Sequence, residues 1–241
     1  MNYPAARRNM VENQIRVNRV THQGIINAFG KIPREVFVPD NLATLAYVDE
    51  KLMITEGRYL LQPMVLARLL QSAKIRPDDV VLEIGCGTGY STAILASIAN
   101  TVVAIEEDET LAKQATNNMV ELGIDNAAIM TSPLAEGYKK QHPYNAIVLS
   151  GSVAKVPESI LAQLIDGGRL VTVVNKHDSL GKGVLMTKFG GSISTEEIFD
   201  AWTPILPCIP AESHACPPVP AQCSQVSHAL GAGQIAQHAT K

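Results

Sequence analysis

The chain has 241 residues, 46% hydrophobic and 18% charged, which is long enough for one well-buried α/β domain with a small additional subdomain. Its 20 basic and 23 acidic residues are mixed along the chain and give a net charge of −3, which excludes the basic surface needed to bind nucleic acid or an anionic membrane. Because no apolar run reaches the length of a membrane helix and the N-terminus lacks the apolar core of a signal peptide, we expect a cytoplasmic protein.

The first 76 residues predict a helical and irregular segment packed against a larger core. Apolar residues recur at helical spacing through residues 5–30, which indicates two short helices. Residues 31–54 contain two prolines, which restrict the residues before them to extended backbone and indicate irregular structure. A third helix is expected to begin at Pro63, because proline suits the first turn of a helix.

The central feature of the sequence is the stretch VVLEIGCGTGYSTAILA, residues 80–96. Its first five residues are mostly apolar, as in a strand buried on both faces of a parallel sheet. Three glycines follow at alternate positions: Gly85, Gly87 and Gly89. They allow a tight turn before helical spacing resumes at Tyr90, and Cys86, a small apolar filler of the loop, is with them a candidate for cofactor binding. This order predicts a strand, a glycine loop and a helix N-terminus that bind a polar ligand.

Glu83, two residues before the first glycine, indicates which ligand fits. A dinucleotide fingerprint has the spacing G-x-G-x-x-G and places a pyrophosphate on the helix N-terminus, where a neighbouring carboxylate would repel it. The spacing here is G-x-G-x-G, and a carboxylate suits a ligand with positive charge, such as the sulfonium and ammonium groups of S-adenosylmethionine. The alternative is a plain glycine turn in an α/β domain.

A second candidate binding position follows the next apolar strand, residues 102–105. Glu106 lies at the end of this strand, where a carboxylate of a doubly wound sheet can accept both ribose hydroxyls of an adenosine. Glu107, beside it, is a further candidate for cofactor binding. The alternative is that these acids only stabilise the N-terminus of the helix that begins near Glu109.

The rest of the chain alternates strands and helices. Short strands are expected at residues 127–130, 145–149 and 169–174, with a helix near residues 157–164. Residues 183–206 indicate two further strands that form a hairpin around a pair of glycines. Short connections between such elements predict a doubly wound, mostly parallel seven-stranded sheet in a domain of residues 77–206.

From residue 207 onward the composition changes. Residues 207–241 contain few large apolar side chains and several prolines, so they bury too little surface to offset chain entropy, and we expect a loosely ordered or disordered tail. Three cysteines lie there, Cys208, Cys216 and Cys223, with His214 and His228 nearby. The gaps between the cysteines lack the C-x-x-C spacing of structural zinc sites, so metal binding is only a secondary hypothesis and no metal site is predicted.

Five motifs in order give the chain a specific resemblance. They are R-x-M-V-x-x-Q-I at residues 8–15, P-R-x-x-F-V-P at 33–39, A-Y-x-D at 46–49, E-x-G-x-G-x-G at 83–89 and D-G-G-R-L-V at 166–171. Together they resemble the protein-L-isoaspartate O-methyltransferases, and the resemblance covers residues 5–206. It implies the Rossmann-like fold of S-adenosylmethionine-dependent methyltransferases. It also implies methylation of the α-carboxyl of isoaspartyl residues in damaged proteins.

The implied reaction asks for positioning rather than for a base. An isoaspartyl carboxylate is already ionised at neutral pH, so no general base is needed. The enzyme has to desolvate one carboxylate oxygen and align it with the methyl group. The expected partner is therefore a protein or peptide with an isoaspartyl carboxylate, or a small carboxylate, and the sequence predicts no oligomeric state.

Two segments depart from the family pattern. The family motif G-x-T-I-S-x-P is GRYLLQP here, so Tyr59 and Leu61 stand where the family has hydroxyl groups, and no catalytic residue is predicted. The family motif G-D-G, whose aspartate accepts from the adenine amino group, is replaced by Ser132-Pro133-Leu134, which leaves Leu134 as a candidate cofactor contact. Besides a methyltransferase, a cofactor-binding protein of the same fold with lost or altered activity therefore stays open, as does a nucleotide-binding oxidoreductase.

Overall fold

The computed structural model describes residues 1–175, 180–207 and 209. The helices are α1 (Tyr3–Met10), α2 (Gln23–Lys31), α3 (Pro63–Ala73), α4 (Tyr90–Ala96), α5 (Glu109–Glu121) and α6 (Glu158–Leu161). The strands are β1 (Leu52–Thr55), β2 (Arg58–Leu60), β3 (Val80–Ile84), β4 (Thr101–Glu106), β5 (Ala127–Thr131), β6 (Tyr144–Val153), β7 (Leu164–Val174), β8 (Gly181–Phe189) and β9 (Ser192–Ala201).

Seven of the strands form one sheet in the order β5-β4-β3-β6-β7-β8-β9. Strands β3 to β7 pair in parallel, and β8 and β9 continue the sheet as an antiparallel hairpin at one edge. The predicted doubly wound, mostly parallel seven-stranded sheet is confirmed. Strand β3 has β4 on one side and β6 on the other, so the strand order reverses between β3 and β6. In such sheets ligands bind beyond the carboxyl ends of the strands at this reversal.

The central strands are apolar because both faces of the sheet are covered. Val81 and Leu82 follow each other in β3, both are fully buried, and their side chains lie in two different hydrophobic clusters. The first cluster contains the helices of the N-terminal segment and α3, while the second contains Val156 and Ile160 from the region of α6. This alternation is the two-residue period of a strand with a core on each side.

The N-terminal segment packs directly on this core. Its helices α1 and α2 lie where the apolar spacing predicted them, joined by a π-helical turn at Val11–Ile15 and a short 3₁₀ turn. Ile15 and Phe29 are fully buried in the cluster that also contains the side chains of α3. Since one cluster includes both parts, the boundary near residue 76 stays a prediction.

The region predicted to be irregular contains more regular structure than expected. Two 3₁₀ turns, Arg34–Phe37 and Asp40–Leu45, follow α2 as irregular structure, but β1 then pairs with β2 as a small antiparallel sheet. The sequence analysis missed this hairpin because its strands have only four and three residues, too few for an alternation pattern.

The C-terminal end of the described chain crosses the main sheet. The second strand of the edge hairpin was expected to continue to residue 206, but β9 ends at Ala201. Instead Ile205 forms a parallel bridge with Ser152 of β6, and the Leu206 amide donates to the Ser152 carbonyl at 2.8 Å. The predicted loose tail, apart from Pro207 and Ile209, lies outside the described residues, as do the tail cysteines and histidines.

Two further observations apply to the described part of the chain. Within it, no three histidine, cysteine or acidic side chains come close enough together to hold a metal ion. Among the same residues, no helix has both the length and the apolar character needed to cross a membrane.

Candidate functional site

The glycine loop between β3 and α4 requires glycine at each predicted position. Gly85, Gly87 and Gly89 have φ angles of +78°, +57° and +94°, a region that side chains with a Cβ rarely adopt. Gly89 also faces helix α5, since an added Cβ would lie 3.0 Å from Met119 Cε. Gly89 thus serves packing, whereas Gly85 and Gly87 lie next to the side chains that fill the crevice.

Glu106 is held in place by the loop and by its own chain. The carboxylate is fully buried at the end of β4. The Gly87 amide donates to Oε2 at 2.8 Å, and the amides of Glu107 and Asp108 donate to Oε1 at 2.9 and 3.2 Å. A carboxylate fixed by three backbone amides is a preorganised acceptor for hydroxyl donors. The sequence analysis selected this residue for that role.

The same carboxylate forms an ion pair that the sequence analysis did not predict. Arg58 of β2 binds Glu106 with both terminal nitrogens, Nη2 lying 2.6 Å from Oε2 and Nη1 in contact with Oε1. The Arg58 side chain is only 8% exposed. Its partner is 48 residues away in the sequence, so local patterns carry no information on the pair. The only available signal was an isolated charge between Gly57 and the apolar residues Tyr59 to Leu61.

Glu83 lies beneath the loop with its carboxylate among three hydroxyl groups. Thr92 donates to Oε2 at 2.6 Å, Ser150 donates to Oε1 at 2.5 Å, and Ser91 also donates to Oε1. Burial raises the pKa of the Glu83 carboxyl above its usual value, while the hydrogen bonds from Ser150, Ser91 and Thr92 oppose that rise. A direct contact between Glu83 and a ligand stays a prediction. The sequence analysis missed the three hydroxyls, although two of them follow the last glycine closely.

Cys86 has the environment of a small core residue. Its side chain is buried, and burial, followed by the nearby charges of Glu83 and Glu106, raises the thiol pKa well above its usual value. A thiol that stays protonated is a poor nucleophile. The structure thus agrees with its assignment as a small filler of the loop.

The segment that departs from the family pattern forms one wall of the site. Tyr59, Leu60 and Leu61 line a small cavity of about 10 Å³. Its other walls come from the glycine loop and from Leu66, Tyr90, Ser91 and Ser150. Tyr59 is half-buried, whereas the Leu61 side chain is 5% exposed and belongs to the main core. Leu61 therefore serves the core as well as the cavity.

Other side chains of this protein fill the crevice next to the loop. A Cβ added at Gly85 would lie 2.9 Å from Leu206 Cδ2, and one added at Gly87 would lie 2.7 Å from Ile54 Cδ1. Arg58 Nη2 would lie 3.5 Å from the same added Cβ at Gly85. The acceptors near the loop fit the hydroxyl and ammonium donors of S-adenosylmethionine. The cofactor has room beside the loop only after the ends of the Leu206, Ile54 and Arg58 side chains move.

The two remaining candidate residues lie close to Glu106. Glu107 contributes its backbone amide to the Glu106 carboxylate, and its own side chain is half-buried. Leu134 is fully buried in a short 3₁₀ turn, Leu134–Glu136, and packs in the second hydrophobic cluster. The preceding Ser132 amide donates to the Glu106 carbonyl at 3.1 Å, which places this loop beside β4. Contact of Glu107 or Leu134 with a cofactor stays a prediction.

Comparison with known proteins identifies the family. The model of the family described as Protein-L-isoaspartate(D-aspartate) O-methyltransferase (PCMT) matches residues 5–199. The chain belongs to the protein-L-isoaspartate O-methyltransferase family. It is 40% identical over 172 residues to the protein-L-isoaspartate O-methyltransferase of Petrotoga mobilis, covering 71% of this chain and 81% of that protein. It is 38% identical to the protein of the same name from Methanoculleus marisnigri, over 71% and 78% of the two chains.

Solved structures of the family have the same fold. A protein-L-isoaspartate O-methyltransferase structure superposes with a TM-score of 0.72 at 25% identity, over 83% of this chain and 65% of the other. A Plasmodium falciparum protein, described as a putative protein-L-isoaspartate O-methyltransferase in complex with S-adenosyl-L-homocysteine, gives 0.68 at 19% identity, over 86% and 98%. The family resemblance and the methyltransferase fold predicted from the sequence are confirmed.

Proposed function

We propose that this chain is an S-adenosylmethionine-dependent O-methyltransferase that acts on the free α-carboxylate of isoaspartyl residues in proteins or peptides. The observation that carries the proposal is the Glu106 carboxylate, held by three backbone amides beside a glycine loop at the strand-order reversal. Family membership supports the reaction type, and the expected target within the isoaspartyl residue is its free α-carboxyl.

The chain supplies acceptors for a cofactor with donors and positive charge. Glu106 would accept the ribose hydroxyls, and Glu83, with its hydroxyl neighbours Ser91 and Ser150, would favour the positively charged end. When bound, S-adenosylmethionine supplies an electrophilic methyl group on a sulfonium. The glycine loop allows close approach because no Cβ projects from Gly85 or Gly87.

Around the carboxylate that receives the methyl group, the site has to exclude water rather than transfer a proton. The carboxylate to be methylated is ionised at neutral pH, so none of the side chains needs to act as a base. Tyr59 and Leu60 line the small cavity together with Tyr90. An apolar wall of this kind removes water from the attacking oxygen, while the site fixes its direction.

Calorimetry and a transfer assay test the two parts of the proposal. We expect S-adenosylhomocysteine to bind, and labelled methyl groups to pass from S-adenosylmethionine to an isoaspartyl peptide but not to the same peptide with aspartate. Glu106→Ala should weaken cofactor binding by about 1 to 3 kcal/mol, because a charged acceptor is lost. Glu121→Ala is the matched control, since it removes the same charge from an exposed position at the C-terminal end of α5. Absence of binding heat from folded protein at millimolar cofactor would refute the proposal.

A second candidate function is favoured by one observation. Tyr59 and Leu61 replace the two hydroxyl-bearing residues of the family motif. In these two side chains, the Tyr59 hydroxyl is the only polar group that can contact a carboxylate. A protein that binds the cofactor without methylating isoaspartyl peptides, or that methylates a small carboxylate, would fit this wall. Cofactor binding without transfer to the isoaspartyl peptide would favour this alternative.

A further inference from the structure

The ion pair between Arg58 and Glu106 lies where the proposed cofactor and its acceptor would meet. Glu106 has the chemistry that ribose hydroxyls need, and Arg58 has the chemistry that a carboxylate needs. We propose that Arg58 is the residue that binds the acceptor carboxylate, and that Glu106 holds the Arg58 guanidinium until the ribose of the cofactor replaces it on Glu106. This inference rests on the proposed function and names a specificity residue for the same site.

Glu106 cannot accept hydrogen bonds from all of these donors at once. Its two oxygens already take five donors: the amides of Gly87, Glu107 and Asp108, and both terminal nitrogens of Arg58. A carboxylate offers about four lone-pair positions. The three amides belong to the loop and to the turn after β4, so they stay in place. Ribose hydroxyls can therefore bind Glu106 only if Arg58 leaves it.

An Arg58 side chain released from Glu106 needs another anion. Its side chain is 8% exposed, and a buried guanidinium that has lost its counter-charge is strongly unfavourable. The planar guanidinium binds a carboxylate with two parallel hydrogen bonds, as it binds Glu106. An acceptor carboxylate would restore that arrangement.

The wall of the site that lacks the hydroxyls of the family motif lies next to Arg58. Tyr59 and Leu60 follow Arg58 directly in the chain and line the cavity where the acceptor would lie. Arg34, the other arginine at this wall, donates to the carbonyls of Ala46 and Leu61 at 2.7 Å and is fully buried. Arg34 is thus bound to the backbone through two of its nitrogens, while its Nη1 is buried without a hydrogen-bond partner among the described residues. Arg58 is bound only through its terminal nitrogens to a carboxylate that the cofactor also needs.

The arrangement predicts that cofactor and acceptor carboxylate strengthen each other's binding. A cofactor alone displaces Arg58 and leaves it without a partner, and the acceptor then removes that penalty. Coupling between two ligands is reciprocal and commonly amounts to about 5- to 150-fold in affinity. We expect saturating isoaspartyl peptide to tighten the binding of S-adenosylhomocysteine by about tenfold in the wild-type protein.

The experiment measures S-adenosylhomocysteine binding by calorimetry, alone, with an isoaspartyl peptide and with the matched aspartyl peptide. In Arg58→Met the cofactor no longer competes with a guanidinium, so it should bind more tightly alone and gain nothing from the isoaspartyl peptide. The KM for this peptide should rise at least about tenfold, more than kcat falls, and Arg58→Lys should recover part of the loss. Arg16→Met is the control, because it removes an equal charge from an exposed pair with Glu12.

The result that would overturn the inference is an unchanged affinity for S-adenosylhomocysteine in Arg58→Met, together with equal binding in wild type with either peptide. Thermal melting shows whether Arg58→Met is folded. If it is not, the wild-type comparison of the two peptides decides alone, since it needs no variant. Failure of the proposed function has a different signature, because then no form of the protein binds S-adenosylhomocysteine, and the inference falls with it.

Discussion

Gly89 provides a test of the structure of the loop itself, through its φ of +94° and its contact with helix α5. An alanine at a positive φ costs about 1 to 2 kcal/mol, because its Cβ approaches the backbone oxygen. At Gly89 the new Cβ would also lie 3.0 Å from Met119 Cε and 3.3 Å from Ala115 Cβ. Met119 can yield at its flexible end, but Ala115 is part of α5. Overpacking of this kind adds about 1 to 3 kcal/mol.

We therefore expect Gly89→Ala to lower the free energy of unfolding by about 2 to 5 kcal/mol. Substitutions at two other glycines separate the contribution of backbone conformation from that of packing. Gly123 has a φ of +64° and open space around it, so Gly123→Ala should cost only about 1 kcal/mol, the backbone part alone. Gly30 lies in α2 with open space and an ordinary φ, so Gly30→Ala should stabilise the protein by about 0.5 to 1 kcal/mol.

Urea denaturation of the three variants measures these differences as shifts in midpoint at an unchanged slope. Each variant adds the same methyl group, so the comparison isolates backbone conformation and packing. A loss in Gly89→Ala no larger than in Gly123→Ala would refute the close packing of the loop on α5. A loss in Gly30→Ala would show that the space around α2 is not open.

Two other predictions concern side chains at the site. Leu61→Ser should lower the free energy of unfolding by about 2 to 4 kcal/mol, because the Leu61 side chain is 5% exposed in the main core; Leu45→Ser, at a position 47% exposed, should change it by less than about 0.5 kcal/mol. Equal effects of the two changes in denaturation experiments would place Leu61 outside the core. Glu83→Gln tests the raised pKa of the Glu83 carboxyl, whose usual value is 4.5. Because burial raises this pKa in the folded state, the folded protein binds more protons than the unfolded chain between the two pKa values. The stability from this group is complete below pH 4.5 and is lost as the pH rises through the folded pKa. Glu83→Gln stays neutral, so its stability relative to wild type should increase with pH over that window, by at most about 1.4 kcal/mol per pH unit. Denaturation at several values from about pH 5 to 8 measures this difference, and a difference independent of pH would contradict the raised pKa.

The parts of the fold that the sequence predicted are those determined by local patterns. Short, mostly apolar runs such as Val80–Ile84 and Thr101–Glu106, bounded by turn residues, indicate strands buried on both faces, and the glycines after the first run specify the turn. The hairpin of β1 and β2 could not be predicted in this way. Its strands are three and four residues long, and Met53 in β1 is 52% exposed, so neither length nor alternation distinguishes it from a loop.

The residues of the candidate site likewise differ in whether a local pattern or a tertiary contact places them there. Glu106 was predicted because a strand end and a following helix fix its place within a few residues of sequence. Arg58 and Leu206 were not, because each reaches the glycine loop through tertiary contacts with distant parts of the chain. A charged residue is usually exposed to solvent, and no pattern in the sequence marks Arg58 as an exception.

The ion pair changes what a measured cofactor affinity means. From the sequence, Glu106 is an acceptor open to a ligand, and the affinity would report its hydrogen bonds to the ribose. In the structure the acceptor is already occupied by Arg58, so binding exchanges one set of hydrogen bonds to the same carboxylate for another. The measured affinity then contains only the difference in free energy between these two sets of hydrogen bonds. In the same way, a hydrogen bond within a protein contributes only its difference from the hydrogen bonds to water that it replaces. A modest affinity would thus reflect competition from Arg58 and not a weak acceptor, and its increase in Arg58→Met would separate the two explanations.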